Sequence, residues 1–450
     1  VADRPLTSLE ELTDFFRASE KPSSQFRIGA EAEKFAVFRS DGSPLGYPGE
    51  RGVVAIFSDL ERFGWKVDRE TPDGPVIALR KGSASVTLEP GSQLELSGAA
   101  LPDLHQVKTE IDEHFAELEG ISERLGLAWL GLGFHPLAKQ SDLGWVPKQR
   151  YAIMREYLPP LGDGALDMMR RTATVQANFD YSSEDDAMQK LVVTLKLSPL
   201  LHAMTANAPF KEGRVTGFKS LRGDVWMRMD PTRSGLVERV WRAERPRYED
   251  YVEWALDAGM FLFKRNGAVV ANTGQTFRSF LKDGYQGHRA EPQDWKMHLN
   301  TLFPEVRLKN TLELRSCDSQ NRELTLALVA LMTGVVYDQR SLDEATALVA
   351  PFDYDAVQAA RPALLREGIS GTFLGKPTRE YAERLLEIAS EGLSRRALVN
   401  GAGEDESRYL APLRALVSAG HCPADVLLSG LSQGAEVPVA EIIRRSEILL

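Results

Sequence analysis

Four stretches of this chain alternate apolar and polar residues strictly, and in each the polar set is acid, amide or hydroxyl with hardly a lysine. "RIGAEAEKF", beginning at Arg27, places Glu31 and Glu33 on one face and Ala30, Ala32 and Lys34 on the other, because successive side chains of an extended strand point to opposite sides. In "SVTLEPGSQLELSG", Thr87 and Glu89 share a face, a Pro90-Gly91 break follows, and Gln93, Glu95 and Ser97 then stand opposite Leu94 and Leu96. "RTATVQANFD" sets Thr172, Thr174, Gln176, Asn178 and Asp180 against Ala173, Val175, Ala177 and Phe179; "NTLELRSCD" sets Thr311, Glu313 and Arg315 against Leu312 and Leu314. One such strand is ordinarily a sheet edge with a wet face. Four with the same acidic bias predict one sheet whose polar face gathers carboxylates.

Other segments carry the helical period. "PDLHQVKTEIDEHFAELEGISERLG" brings Leu104, Val107, Ile111, Phe115, Leu118 and Leu125 onto one stripe and stops at Gly126. The N-terminal "VADRPLTSLEELTDFF" reads as a capped amphipathic helix rather than a signal peptide. From about Pro377 the pattern is helical, with Tyr381, Leu385, Ile388 and Ala389 on one side and a further helix around Leu413 and Leu416. The expected organisation is a catalytic domain over 1–376 and a helical C-terminal layer over 377–450 packed on it. Strand-like and helix-like stretches are mixed along the chain, which gives an α+β fold class.

Composition narrows the partner. The 450 residues are 43% hydrophobic and 26% charged, enough for a large core, and a net charge of −10 disfavours nucleic acid or an anionic membrane as a general partner. Two cysteines, Cys317 and Cys422, are too few for a disulfide framework and read as reduced thiols, pointing to the cytoplasm. Small-molecule substrates are expected, with the chain acting as a monomer or homodimer.

The acids define the chemistry. Glu31, Glu33, Glu89, Glu95 and Glu313 lie on the polar faces; neighbouring carboxylates repel unless a cation, a proton or solvent relieves them. Hard oxygen ligands favour Mg²⁺ or Mn²⁺, and magnesium in turn points to phosphates. "FLGKPT" lacks the hydroxyl residue and glycine spacing of a phosphate loop, and "GLGFHP" at Gly131 reads as a strand end, so ATP would be held by metal and scattered arginines. The densest basic stretch, between the third and fourth strands, carries Lys211, Arg214, Lys219, Arg222, Arg228 and Arg233 with Trp226. Guanidinium forks suit carboxylate or phosphoryl groups, and Arg150, Arg155 and Arg171 are further candidates.

"GAEAEKF", "LEPGSQLELSG", "LGLGFHP", "RYAIMREYLP", "DMMRRTATVQANFD", "GFKSLRGDVW", "TFRSFL" and "DWKMHLNTLFPEVRLKNTLELRSCD" occur in an order that resembles the glutamate-cysteine ligases of plant and proteobacterial type. The resemblance spans nearly the whole chain. It implies a curved, mainly antiparallel sheet of glutamine synthetase-like type surrounded by helices, with ATP phosphorylating the γ-carboxylate of glutamate and the cysteine amine attacking the acyl phosphate. By matching motif, Glu31, Glu33, Glu89, Glu95 and Glu313 would be metal ligands, and Glu31 and Arg315 would serve catalysis, Arg315 facing the phosphates. Arg222 and Trp226 would receive the α-carboxylate end of glutamate, and Gln176, Asn178 and Arg171 would complete the substrate set. Plant members carry regulatory cysteine pairs; here Lys108 stands in the segment equivalent to one of them, which argues against that control. Two rival functions share the site: a γ-glutamyl ligase using another amine, and a catalytically silent glutamate or nucleotide sensor.

Overall fold

The four alternating stretches lie side by side. In the computed structural model, which describes residues 4–448, nine strands form one sheet: β1 (Ile28–Phe38), β2 (Lys66–Arg69), β3 (Val76–Lys81), β4 (Ala84–Leu88), β5 (Leu94–Ser97), β6 (Leu127–Leu130), β7 (Thr174–Phe179), β8 (Val306–Leu308) and β9 (Leu312–Asp318). Their order is β8-β9-β7-β1-β5-β4-β3-β2, with β6 pairing the far half of β1, and each pairing is antiparallel. The second stretch is thus two strands, β4 and β5, reversed by a turn in which Ser92 N–H donates to the Glu89 carbonyl at 3.0 Å. Pro90 and Gly91 make that reversal, and Gly91 is held so close to the carbonyl of Arg170 that a Cβ there would lie 2.4 Å from its oxygen.

The period of two decides the layers. Ile28, Ala30, Val175, Ala177, Phe179, Leu312 and Leu314 project to one side, into a core shared with Leu104, Val107, Ile111 and Phe115 of the Leu104–Leu125 helix and with the apolar Glu184–Thr205 and Arg322–Val336 helices. The acids and amides project to the other. The Leu104–Leu125 helix starts where Asp103 accepts from Gln106 N–H at 2.8 Å and ends at Gly126, whose φ of 70° lies in the left-handed region that glycine tolerates. At the N-terminus, Glu11 receives the Thr7 and Ser8 amides and caps the Leu9–Arg17 helix; residues 1–3 of that motif lie outside the described part. Among the described residues no helix is long and apolar enough to cross a membrane.

One irregularity shapes the site. Leu314 pairs with Ala177 and Cys317 with Val175, so Arg315 and Ser316 together face Gln176: β9 carries a bulge there. A bulge frees backbone groups from the ladder and turns a side chain, and here the side chain is Arg315.

The Thr378–Arg396 helix buries Leu385, Ile388 and Ala389 and lies against the Arg322–Val336 helix, while Ala411–Ser418 buries Leu413. The first two cross at touching glycines: a Cβ on Gly392 would stand 2.0 Å from the Gly334 carbonyl oxygen. Replacing Gly392 by alanine ordinarily favours a helix, yet here backbone must move, and overpacking of this kind costs roughly 1–3 kcal/mol. Gly392→Ala should therefore lower the melting temperature. A value at or above that of the wild type would show that these helices do not meet.

Candidate functional site

The polar face of the sheet floors a cavity of about 220 Å³ lined by Glu31, Glu33, Glu89, Glu95, Gln176, Arg222, Trp226, Glu313 and Arg315, with Arg150, Tyr151, Asn300, Arg307 and Lys309. A second lobe of about 430 Å³ adjoins it, sharing Glu89, Glu95, Arg150 and Asn300 and adding Ile77, Leu262, Val269, Met297, Lys148 and Lys264. Strand register assembles the floor: Glu33 lies opposite Glu95, Glu31 opposite Gln176, and Glu313 opposite Asn178.

Between the acids run two amides, each oriented from behind. Asn178 Nδ2 donates to Glu31 at 2.6 Å, and Thr311 donates to Asn178 Oδ1 at 3.1 Å. Gln176 Nε2 reaches Glu33 at 3.4 Å, and Arg315 donates to Gln176 Oε1 at 2.7 Å. The Thr174 amide adds a 2.9 Å bond to Glu33, and Thr87 bonds to Glu95. Gln176 and Asn178, expected to contact substrate, are here engaged in holding Glu33 and Glu31.

Charge divides across the floor. Burial, then Glu95 and Glu313, push the Glu31 carboxyl up to about 8; burial, then Glu89 and Glu95, raise Glu33 well above the usual carboxylate range. On the apolar side of the same sheet the buried Lys34 lies over Phe115, and burial, opposed by Glu95 and Glu33, brings it down to about 7. Glu313 is the exception. Burial works against its charge, yet Arg307, which donates twice at 2.6 and 3.1 Å, and Lys309 and Arg315 hold it well below the usual range. One end of the cavity therefore carries uncompensated acid and the other a cationic wall.

That wall replaces the expected one. The basic stretch spends its charges elsewhere: Lys219 pairs with Asp425, Arg214 with Glu436, Arg228 with Asp163 and Asp224, and Arg233 with Asp230. Arg222 alone among its basic residues lines the cavity, with Trp226 one turn on in the Leu221–Met227 helix and edge-on to Phe303. Arg171 is a correction: it does not line the cavity but is buried over Phe134 and paired with Asp167 and Glu212. Arg171 is the last residue of the Ala165–Arg171 helix, which ends before β7 begins, and from there it reaches Phe134, Asp167 and Glu212 instead of the floor. Arg307 and Lys309 are additions to the expected set: they share the period of two in "VRLKN", where an exposed edge strand would look alike.

The donor set fits a hard divalent cation in chemistry: buried carboxylates, no histidine or thiolate, and acid charge that protein cations leave unrelieved around Glu31 and Glu33. Among the described residues no three acid, histidine or cysteine side chains form a ready-made cage.

The model of glutamate-cysteine ligase family 2 matches residues 27–442. The chloroplastic glutamate–cysteine ligase A of Oryza sativa subsp. indica is 37% identical over 428 residues, covering 94% of this chain and 85% of that protein. Its counterpart in Arabidopsis thaliana is 37% identical over 436 residues, covering 95% of this chain and 80% of that one. Among solved structures, a glutamate–cysteine ligase from Francisella tularensis in complex with AMP covers 95% of this chain and 88% of its own, with a TM-score of 0.54 at 12% identity, which shows a shared fold.

The carboxyl of Glu31 keeps its proton to about 8 when folded, against 4.5 ordinarily. Between those values the folded state binds more protons than the unfolded one, so this group subtracts stability increasingly as pH rises from about 5 to 8 in metal-free protein. Glu31→Gln removes that loss. In a chelating buffer, the melting temperature of Glu31→Gln relative to the wild type should rise across this range, groups remote from the acid floor cancelling in the difference. A flat or falling difference would place Glu31 in solvent.

Proposed function

The chain belongs to glutamate-cysteine ligase family 2, and from that premise we propose that it joins L-glutamate to L-cysteine with ATP, giving γ-glutamylcysteine, ADP and phosphate, the first step towards glutathione or a related thiol. The observation that carries the site assignment is the division of one cavity into an acid floor and a cationic wall. Phosphoryl transfer asks for positioning and charge neutralisation more than for a protein nucleophile.

The wider lobe, with Ile77, Leu262, Val269 and Met297, has the apolar lining that suits a nucleotide base, and the shared Glu89, Glu95 and Arg150 mark where its phosphates would pass inward. Glu31, Glu33, Glu89 and Glu95 would hold Mg²⁺ or Mn²⁺, which when bound offsets the phosphate charge and relieves the repulsion between the acids. Glu313, already saturated by Arg307, Lys309 and Arg315, serves first to fix that wall. Arg315 stands at the junction of wall and floor, where it would meet the phosphoryl group as it passes to the γ-carboxylate beside Glu31.

Arg222 and Trp226 close the inner end. Arg222 Nε and Trp226 Nε1 are buried and have no partner, as donors awaiting an anion would be, and we assign them the α-carboxylate of glutamate. The amine of cysteine then displaces phosphate from the acyl carbon, forming the amide N–C bond as the acyl C–O bond breaks. The relatives are named as chloroplastic proteins; the buried free thiols Cys317 and Cys422 fit a reducing compartment, and we place this chain in the cytoplasm.

Incubation with glutamate, ATP, Mg²⁺ and a mixture of amino acids should yield γ-glutamylcysteine by mass, with one phosphate released per amide. A different dominant γ-glutamyl amide, or no amide, would contradict the assignment. Arg222→Lys keeps the charge but loses the planar fork, and at roughly 1.5–3 kcal/mol for a charge-assisted bond the apparent glutamate affinity should fall about ten- to a hundredfold with ATP dependence nearly unchanged. A weakened ATP dependence with glutamate unaffected would move Arg222 to the phosphate side.

A further inference from the structure

Beneath Arg222 lies a carboxylate that lines neither lobe of the cavity. Asp318, at the end of β9 and 2% exposed, receives the Asn207 amide at 2.8 Å and the Ser220 hydroxyl at 2.9 Å, and stands 3.8 Å from Arg222 Nη1. Ser220 is the N-cap of the Leu221–Met227 helix, where its oxygen accepts from Gly223 N–H at 3.1 Å. Arg222 meanwhile donates to the carbonyls of Arg315 at 2.8 Å and Ser316 at 3.0 Å, the two residues of the bulge. The room for Asp318 comes from Gly133 of "GLGFHP": a Cβ there would lie 2.4 Å from the Asp318 carboxyl carbon.

We propose that Asp318 is a positioning residue for recognition of the amino-acid substrate, acting through Ser220 and Arg222; this rests on the assignment of Arg222 to the glutamate α-carboxylate. A single buried anion fixes both the helix that carries Arg222 and Trp226 and the guanidinium itself. The bulge that turns Arg315 into the cavity is tied to the same guanidinium. Recognition of the carboxylate and placement of Arg315 thereby share one anchor.

The test is steady-state kinetics on the full chain, with glutamate, ATP and cysteine varied in turn and melting temperatures taken alongside. Asp318→Asn, which keeps the shape but removes the charge beside Arg222, should raise the glutamate KM about five- to twentyfold and leave the ATP KM within about twofold. Ser220→Ala should shift the glutamate KM in the same direction, and Ser220→Thr, which keeps the hydroxyl, should restore it; this pair decides the matter if Asp318→Asn does not fold. The Asp318→Asn, Arg222→Lys double variant should be little worse for glutamate than Arg222→Lys alone, because both changes break one arrangement. The proposal is overturned if Asp318→Asn and Ser220→Ala lower stability but leave the glutamate KM unchanged, if all three KM values move together, or if the double variant is fully additive. If Arg222→Lys itself leaves glutamate use intact, the substrate assignment falls first and the proposal with it.

Discussion

Repulsion among like charges on one strand face is the constraint from which the site follows. Glu31 and Glu33 project together from β1, Glu95 faces Glu33 from β5, and Glu89 stands at the adjoining turn, all against a floor that excludes much of the water that would screen them. A carboxyl held at about 8, as Glu31 is, marks an arrangement that water and the surrounding cations do not relieve. Such an arrangement costs stability, and it persists because the opposite faces of the same strands are anchored in the main apolar core. The sheet thus stores an electrostatic demand that positive charge arriving with a ligand can meet.

The rest of the site channels that demand. Thr311 and Arg315 orient Asn178 and Gln176 so that their NH₂ groups face Glu31 and Glu33, which sets the carboxylates without neutralising them. At the far end Arg307, Lys309 and Arg315 more than balance Glu313, leaving a positive surplus for an anion. The bulge in β9 joins the two regions: it swings Arg315 inward and offers its freed carbonyls to Arg222. Acid floor, cationic wall and the end closed by Arg222 and Trp226 are consequences of one sheet and the bulge in its β9 strand.

How much of this the sequence made legible depended on how local each cause is. Strand alternation is a property of adjacent residues, so the acid faces and the back-facing Ala30, Val175 and Leu314 could be read directly, as could the Leu104–Leu125 helix with its apolar stripe and Gly126 stop. Charge pairing is not local. Lys219, Arg214 and Arg228 formed a promising basic cluster in the sequence, but their partners Asp425, Glu436 and Asp163 come from distant segments and draw them away from the cavity. Arg171 ends the Ala165–Arg171 helix before β7 begins, and Asp167 and Glu212 draw it away from the cavity. Arg307 and Lys309 were hidden because a basic alternation beside a turn is also how an edge strand keeps itself soluble, and only the pairing of Arg307 with Glu313 across two strands distinguishes the cases. The close approach of Gly131 to Gln320 and of Gly133 to Asp318 needed the packed chain to be seen.

We propose that Glu31 and Glu33 hold protons near neutral pH until a divalent cation replaces them. Calorimetric titration of the nucleotide-free protein with Mn²⁺ at pH 7, repeated in buffers of different ionisation enthalpy, measures the protons exchanged on binding. Saturable binding is expected, with net proton release that is strongly reduced when Glu31 and Glu33 are both replaced by glutamine. Binding without proton release, or release undiminished in that variant, would contradict it.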